Sequence, residues 1–324
     1  MNLFGRLFRL SIFGRSHGVA LGIVVDGVPV GIPLKDEDFL PDLKRRGGGV
    51  FGTTQRVESD SPKIISGIYN GFTSGDPICL IFENQNVKRK DYNFYFPRPS
   101  HADFVADKKY FGFSDKSGGG HFSGRLTLGI VAAGVIAKKI LGKISIKSKI
   151  LEVGGSKDIS NKIEKAKKYG DSVGGLVQIT CKNVPIGLGE PFFYNTESVI
   201  SSLLFSIPAV KGVEFGAGFR VAKRFGSQNN DLILNKKGKT KTNNEGGING
   251  GITNGNELLV RVAVKPTASI SKSQKSYNYV LDKVADCKIE GRHDTCITLR
   301  AQIVLEAAVS IALSDLYLMN KLVK

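Results

Sequence analysis

Two long segments of the chain are apolar around nearly the whole circumference of a helix. They are residues 125–141, which also contain several alanines, and residues 300–318. Residues 199–207 form a shorter segment of the same kind. A helix that is apolar on all sides is normally buried against several neighbours. The pattern therefore predicts central helices inside the protein.

Shorter runs that are β-branched or alternate between apolar and polar residues predict strands. These runs are residues 6–13, 21–26, 64–69, 77–82, 176–182 and 258–264. Residues 36–46 predict a short helix that stops at three glycines. No composition shift or linker marks a boundary, so we expect one α/β domain over residues 1–324.

The most apolar stretch, residues 303–319, contains Glu306 and Asp315. Because charged residues are costly in a bilayer, it is interpreted as a core helix, and no membrane partner is expected. The first residues lack signal-peptide features, which favours a cytoplasmic location. The four cysteines include no C-x-x-C pair. That spacing argues against a zinc site and a disulfide scaffold, so no metal is expected.

The charge is unusual, with 46 Lys and Arg against 29 Asp and Glu, a net +17. Such an excess suggests an anionic partner, but its sign does not distinguish nucleic acid, membrane or small molecule. The lysine-rich residues 143–149, 162–168 and 236–241 are interpreted mainly as solvated surface. The arginines are more informative because they lie beside glycines and histidines.

The chain has only four histidines, and each lies in a turn-like setting with an arginine nearby. The histidines are His17, His101, His121 and His293, and the arginines are Arg15, Arg98, Arg125 and Arg292. Histidine suits proton transfer near neutral pH, and guanidinium groups suit carboxylates and phosphates. Glycine lets the backbone approach a ligand closely. The combination predicts a phosphorylated or polycarboxylate ligand.

Sequence motifs that would indicate other functions are incomplete or absent. Gly216 and Gly218 begin a dinucleotide fingerprint that Val221 interrupts, and no Walker loop or G-x-S-x-G elbow is present. Aromatic and basic residues are interleaved over residues 88–98. They are compatible with base stacking, with partner packing or with a flavin wall. A basic RNA-binding protein is therefore an alternative from a different class.

Several blocks, in order along nearly the whole chain, resemble those of chorismate synthases. The N-terminal block is GRSHG at residues 14–18, the second is GGHFSGR at 119–125, and the third is RHDTC at 292–296 with Glu306 following. Further matching blocks occupy residues 98–103, 208–216, 246–251 and 265–267. Ordered blocks are far more specific than any one motif.

The resemblance implies an α+β fold with central helices packed between two antiparallel sheets, assembled as a homotetramer. It implies a lyase reaction in which 5-enolpyruvylshikimate 3-phosphate loses phosphate and a ring proton by 1,4-elimination to give chorismate. It further implies that reduced FMN is required but not consumed. NADPH or a separate flavin reductase would supply the reductant, and the sequence leaves both open. No nucleic-acid partner is expected on this interpretation.

The resemblance also implies roles for individual residues. His101 would protonate the departing phosphate, His17 would keep the reduced flavin protonated, and Asp294 would assist removal of the ring proton. The expected substrate-binding residues are Ser16, Arg45, Arg46, Arg125 and Arg300. The expected flavin contacts are His121, Phe122, Ser123, Pro208, Ala209, Gly250, Lys265, Pro266, Thr267, Ala268, Ser269 and Arg292.

The chain departs from the family pattern at four places. Arg15 stands where the family usually has Glu, His121 where it has Arg, and Leu126 where it has Glu. The usual arginine after the three glycines is absent, and Phe51 and Gly52 occupy that region. A flavin-binding relative with reduced or lost activity is therefore the second alternative.

Overall fold

Two antiparallel sheets enclose the long helices. The computed structural model describes residues 2–56, 58–85, 96–115, 117–289, 291 and 293–322. The strands are β1 Leu3–Phe4, β2 Arg9–Gly14, β3 Ala20–Asp26, β4 Lys63–Ser66, β5 Ile68–Tyr69, β6 Phe72–Thr73, β7 Ile78–Glu83, β8 Ser145–Val153, β9 Gly175–Lys182, β10 Val210–Phe215, β11 Ile248–Asn249, β12 Ile252–Thr253, β13 Leu258–Val264, β14 Gln274–Asn278 and β15 Lys283–Cys287. The α-helices are α1 Leu40–Arg46, α2 Asp103–Lys109, α3 Thr127–Leu141, α4 Ile159–Lys168, α5 Thr196–Ser206, α6 Gly226–Asn229 and α7 Thr298–Leu322.

The first sheet has the strand order β1-β2-β3-β7-β4 and the second has the order β10-β13-β9-β8. Every pair of neighbouring strands in them is antiparallel. Side chains alternate between the two faces of a strand, so each sheet turns one apolar face inward. In β3 these are Leu21, Ile23 and Val25, and in β13 they include Leu258 and Val260, all fully buried.

Helices α3 and α7 lie together between the sheets, as the sequence predicts. A Cβ atom built on Gly134 of α3 would be 2.7 Å from Cα of Ala307 in α7, so only glycine permits this approach. One built on Gly129 would be 2.5 Å from the side chain of Ile23 in β3. On the other side, α7 contacts β8 and β9. Helix α3 thus packs on the first sheet and α7 on the second.

Helix α7 is the one described helix that is long and apolar enough to cross a membrane, but 83% of its apolar window is buried inside the protein. The core-helix interpretation of residues 303–319 agrees with this burial. Buried Glu306 and Asp315 both make hydrogen bonds there, Glu306 with Ser148 and Asp315 with the backbone of residues 6–8.

Some element boundaries differ from the predicted ones. The predicted helix over residues 36–46 is a 3-10 turn, Asp36–Asp38, followed by α1, because Pro41 in the first turn of α1 has no N–H to continue the hydrogen bonding. The predicted strand over residues 64–69 divides into β4 and β5 at Gly67, whose φ of 87° turns the chain. The lysine-rich residues 143–149 are exposed at Lys147 and Lys149, in agreement with the surface interpretation, and residues 145–149 form the start of the edge strand β8, which the sequence analysis did not predict.

Candidate functional site

A cleft of about 1100 Å³ brings together loops from both ends of the chain. Its wall combines the end of α1, the residues before α3, the loop after β13 and the start of α7. A pocket for a single small ligand usually has about 300–1,000 Å³. The volume of this cleft lies slightly above that range. The cations in its wall are Arg46, Arg56, Arg98, Arg125, Lys211, Lys265 and Arg300, against the acids Glu58, Asp60 and Asp294.

Arg46, Arg125 and Arg300 meet in this wall with two carboxylates, and we call these three the arginine cluster. Asp60 forms ion pairs with Arg46, at 3.5 Å, and with Arg125. Arg300 forms an ion pair with Asp294 at 3.0 Å, and its Nε donates to the carbonyl oxygen of Arg46 at 2.9 Å. Three guanidinium groups and two carboxylates leave one net positive charge facing the cleft.

Arg46 is the most deeply buried cation of the cluster. It lies at the end of α1, where its Nε donates to Thr127 at 3.1 Å and its Nη2 to the carbonyl oxygen of Gly124 at 2.8 Å. Burial and then the positive charge of Arg300 lower the pKa of Arg46 to about 9. The group stays protonated near pH 7, so the buried positive charge is available to an anion.

Arg125 has donors that its protein neighbours do not use. Its Nε donates to Asn84 at 3.1 Å and its Nη1 to Asp60. Its Nη2 is buried without a hydrogen-bond partner among the described residues, and the same is true of the hydroxyl oxygen of Thr267. Buried polar groups without partners are costly, so a polar ligand would satisfy both.

His101 is oriented by a carboxylate at the start of α2. Its Nδ1 lies 2.7 Å from Asp103, and because a carboxylate only accepts, Nδ1–H is the donor. Arg98 binds the same carboxylate through two nitrogens, each at 2.7 Å. Burial raises the pKa of Asp103, but hydrogen bonds from Arg98 and His101 outweigh it and hold that pKa well below its ordinary value. The Nε2 atom of His101 is left for proton transfer to a ligand.

His17 lies directly behind the cleft wall. It is buried, and a Cβ atom added to Gly118, which lines the cleft, would overlap its imidazole ring. The φ of Gly118, 60°, also favours glycine at this point. Ser16, which lines the cleft, accepts a hydrogen bond from Arg56 at 3.2 Å. The run of glycines before α3 thus brings the backbone against the histidine.

Most of the predicted flavin contacts border the same cleft. These are His121, Phe122, Ser123, Pro208, Ala209, Lys265, Pro266, Thr267, Ala268 and Ser269. Gly250 lies in the turn between β11 and β12 and does not line the cleft. The prediction for Arg292 falls outside the described residues. Nδ1 of His121 donates to the carbonyl oxygen of Gly14 at 3.1 Å, which ties the second sequence block to the first.

Arg45 is the predicted substrate clamp that the structure does not place in the cleft wall. Its two terminal nitrogens bind Glu306 of α7 at 2.8 and 2.7 Å. Glu306 also accepts hydrogen bonds from the backbone and hydroxyl of Ser148. Substrate binding by Arg45 stays a prediction, and the geometry gives this side chain a partner in the core.

Sequence reasoning overlooked three charged residues of the wall, Arg56, Glu58 and Asp60. Arg56 donates to Glu58 at 2.7 Å and to Ser16. The signal in the sequence was the presence of one arginine and two acids within five residues, 56–60, shortly after the three glycines. In the family an arginine usually stands near Phe51. Phe51 is half-exposed and does not line the cleft.

The other departures from the family pattern have plain structural settings. Arg15 is mostly exposed and forms an ion pair with Asp115 at 3.4 Å. Leu126 is buried in the turn before α3. Among the described residues, no group of three or more His, Cys, Asp and Glu side chains is arranged to hold a metal ion.

The fold and the site define a class of protein, an α/β protein whose cleft is lined by several arginines and histidines and therefore suits an anionic ligand. Comparison with known proteins supports a specific family. Residues 8–318 match the family model described as chorismate synthase. A chorismate synthase from Chitinophaga pinensis is 55% identical, with 99% of this chain and 98% of the relative covered.

More distant relatives and a solved structure agree. The chorismate synthase of Korarchaeum cryptofilum is 43% identical over 97% of this chain and 96% of its own length. A solved structure titled "Crystal Structure of Chorismate Synthase" superimposes with a TM-score of 0.75 at 28% identity, covering 97% of this chain and 93% of that one. The chain belongs to the chorismate synthase family.

Proposed function

We propose that this chain eliminates phosphate from 5-enolpyruvylshikimate 3-phosphate to give chorismate, a lyase reaction of aromatic amino acid biosynthesis. The observation that carries this proposal is the convergence of the arginine cluster and the His101–Asp103 pair in one cleft. These residues are remote in sequence and suit a substrate with two carboxylates and a phosphate. A basic RNA-binding protein would not need two histidines set in this geometry.

The cleft residues fit a flavin as well as the substrate. The volume of about 1100 Å³ exceeds that of an ordinary single-ligand pocket, and the wall contains the hydroxyl of Thr267, which has no hydrogen-bond partner among the described residues. We infer that residues 121–123, 208–209 and 265–269 hold reduced FMN, with Arg292 and Gly250 as further predicted contacts. When bound, the reduced flavin supplies electron density for the elimination without net redox change.

The protein's own groups bind the substrate and move its protons. Arg46, Arg125 and Arg300 would neutralise the carboxylates and phosphate in a site where water exclusion strengthens Coulomb attraction. His101, with Nδ1–H fixed on Asp103, would deliver a proton from Nε2 to the leaving phosphate. Asp294, held by Arg300, would assist loss of the ring proton.

His17 and Ser16 complete the proposed site. The buried imidazole of His17 would hold a proton next to the flavin, and Ser16, braced by Arg56, would contact the substrate. Arg45 is retained as a predicted clamp, although its guanidinium faces Glu306.

Anaerobic incubation of the protein with chemically reduced FMN and the phosphate substrate tests the proposal. We expect chorismate to accumulate, with one phosphate released per molecule. His101→Ala should bind FMN as the unchanged protein does while turnover falls about 100-fold or more. If the folded protein binds FMN and forms no chorismate, the inactive flavin-binding alternative stands. Binding of RNA that weakens steeply as salt rises, with no FMN binding, would instead favour the RNA-binding alternative.

The assembly and the source of electrons are further proposals. A homotetramer would cover some of the aromatic side chains that are at least 78% exposed in the single chain, such as Phe192, Phe193, Phe219 and Phe225. Light scattering on the purified protein measures this. We also propose a cytoplasmic enzyme supplied with reduced flavin by NADPH or by a separate reductase. Stopped-flow mixing of protein, FMN and NADPH distinguishes the two electron sources.

A further inference from the structure

Asp60 is the shared carboxylate of two arginines that lie on different elements. It forms ion pairs with Arg46 at the end of α1 and with Arg125 just before α3. It lines the cleft and its side chain is only 10% exposed. Its φ of 49° lies in the left-handed region, which aspartate tolerates better than most side chains. The backbone and two ion pairs therefore fix this carboxylate in the wall.

Asp60 also controls which donors of Arg125 face a ligand. With Nε on Asn84 and Nη1 on Asp60, the one nitrogen without a hydrogen-bond partner among the described residues is Nη2. Arg46 is held in a similar way, by Thr127 and the carbonyl oxygen of Gly124 in addition to Asp60. Both guanidinium groups are thus oriented before any anion arrives, which lowers the cost of ordering them on binding.

The negative charge of Asp60 also limits how strongly the cleft attracts anions. In the arginine cluster, Asp60 and Asp294 offset two of three positive charges. Without Asp60 the same wall would carry two net positive charges and would attract a small anion more strongly. Inorganic phosphate is such an anion, and it is also a product of the proposed reaction.

We propose that Asp60 is a positioning residue that aligns Arg46 and Arg125 for the substrate and weakens their hold on the released phosphate. This inference rests on the proposed function, because it assigns phosphate as the product. Asp60 would thus let the cleft bind the larger anionic substrate through oriented donors and still release inorganic phosphate, which neither arginine achieves alone.

The test is the substitution Asp60→Asn, which keeps the size of the side chain and removes its charge. Calorimetric titration of flavin-free protein with inorganic phosphate should show binding about tenfold tighter than in the unchanged protein. In the complete assay, kcat should fall, KM should not rise, and inhibition by added phosphate should increase. Asp60→Glu keeps the charge, so its phosphate affinity should stay within about threefold of the unchanged protein.

A matched control separates local from general charge effects. Asp38 forms an ion pair with Lys139 at 2.9 Å and does not line the cleft. Asp38→Asn removes the same charge from the protein and should leave phosphate affinity unchanged. If Asp60→Asn leaves phosphate binding unchanged or weaker, the carboxylate has only a structural role and the inference is wrong. If that variant does not fold, Asp60→Ser is titrated against the same criteria.

The two proposals fail in different ways. Absence of chorismate with the unchanged protein contradicts the proposed function, whatever the phosphate titrations show. The titrations use no flavin and no turnover, so tighter phosphate binding by Asp60→Asn supports the charge-limiting role of Asp60 independently.

Discussion

Replacing Arg45 with methionine tests whether this side chain serves the fold or the substrate. Arg45 is 46% exposed on its side chain, whereas its partner Glu306 is 3% exposed. Removal of the guanidinium leaves a buried carboxylate whose remaining partners are Ser148, through two hydrogen bonds, and Lys138 at 3.8 Å. The reverse change, Glu306→Gln, leaves the guanidinium of Arg45 without the carboxylate of Glu306, but this half-exposed group can be hydrated instead.

The difference in burial between Arg45 and Glu306 sets the expected loss of stability in each variant. Breaking a fully buried pair by removing one partner costs about 3–5 kcal/mol. The exposure of Arg45 and the retained bonds of Glu306 reduce the expected loss for Arg45→Met to about 2 kcal/mol. For Glu306→Gln we expect about 1 kcal/mol or less, since the amide can still accept from Ser148. The assay is chemical denaturation of the two variants under identical conditions.

The pH dependence gives a second measurement. Burial raises the pKa of Glu306, but hydrogen bonds from Arg45 and Ser148 and the charges of Arg45 and Lys138 outweigh it, so its pKa is lowered in the folded protein. A carboxyl of this kind contributes stability that is present above the unfolded pKa, about 4.3, and is lost as the pH falls through the folded value. In the Arg45→Met variant, the pKa of Glu306 in the folded protein should rise, because the hydrogen bonds and the charge of Arg45 are lost. The stability difference from the unchanged protein should therefore shrink between pH 7 and about pH 4.

Two results would refute the structural reasoning for Arg45. One is an equal cost for Arg45→Met and Glu306→Gln, and the other is a cost that does not change with pH. The kinetic readout is independent of these. If Arg45 is structural, KM for the phosphate substrate should stay within about threefold, because the cleft arginines are untouched. A KM more than about tenfold higher at unchanged stability would instead support the predicted clamp.

Two further predictions concern packing and proton transfer. Gly134→Val should destabilise the protein by about 3 kcal/mol or more, because a Cβ atom at this position would lie 2.7 Å from Cα of Ala307. Gly226→Ala should be nearly neutral in the same denaturation assay, because a Cβ atom there would have no other atom within 4 Å. Asp103→Asn should lower turnover about tenfold or more by releasing the ring of His101. Because the pKa of Asp103 is lowered in the folded state, its stabilising effect is lost as the pH falls below about 4, so acid unfolding of Asp103→Asn should be less steep there.

Part of the candidate site could be predicted from the sequence. The ordered motif blocks contain His101, Arg125 and Asp294, which line the cleft. Arg46 and Arg300 lie outside those blocks and were expected at the site from the resemblance as a whole, and they line the same cleft. The same reasoning treated Arg45 and Arg46 as equivalent clamps. Neighbouring residues on a helix point about 100° apart, so only one of them faces the cleft while the other binds Glu306.

The sequence by itself determined the buried central helices, most strands of both sheets and the family, since periodicity and motif order are local properties of the chain. Tertiary structure alone decided that Asp60 is shared by Arg46 and Arg125, which are 14 and 65 residues away from it. It also decided that residues 145–149 form the start of β8, because this segment pairs with β9. These outcomes depend on which distant segments pack together. The partners of a buried charged side chain come from segments that are distant in sequence, so its role is decided only when the chain folds.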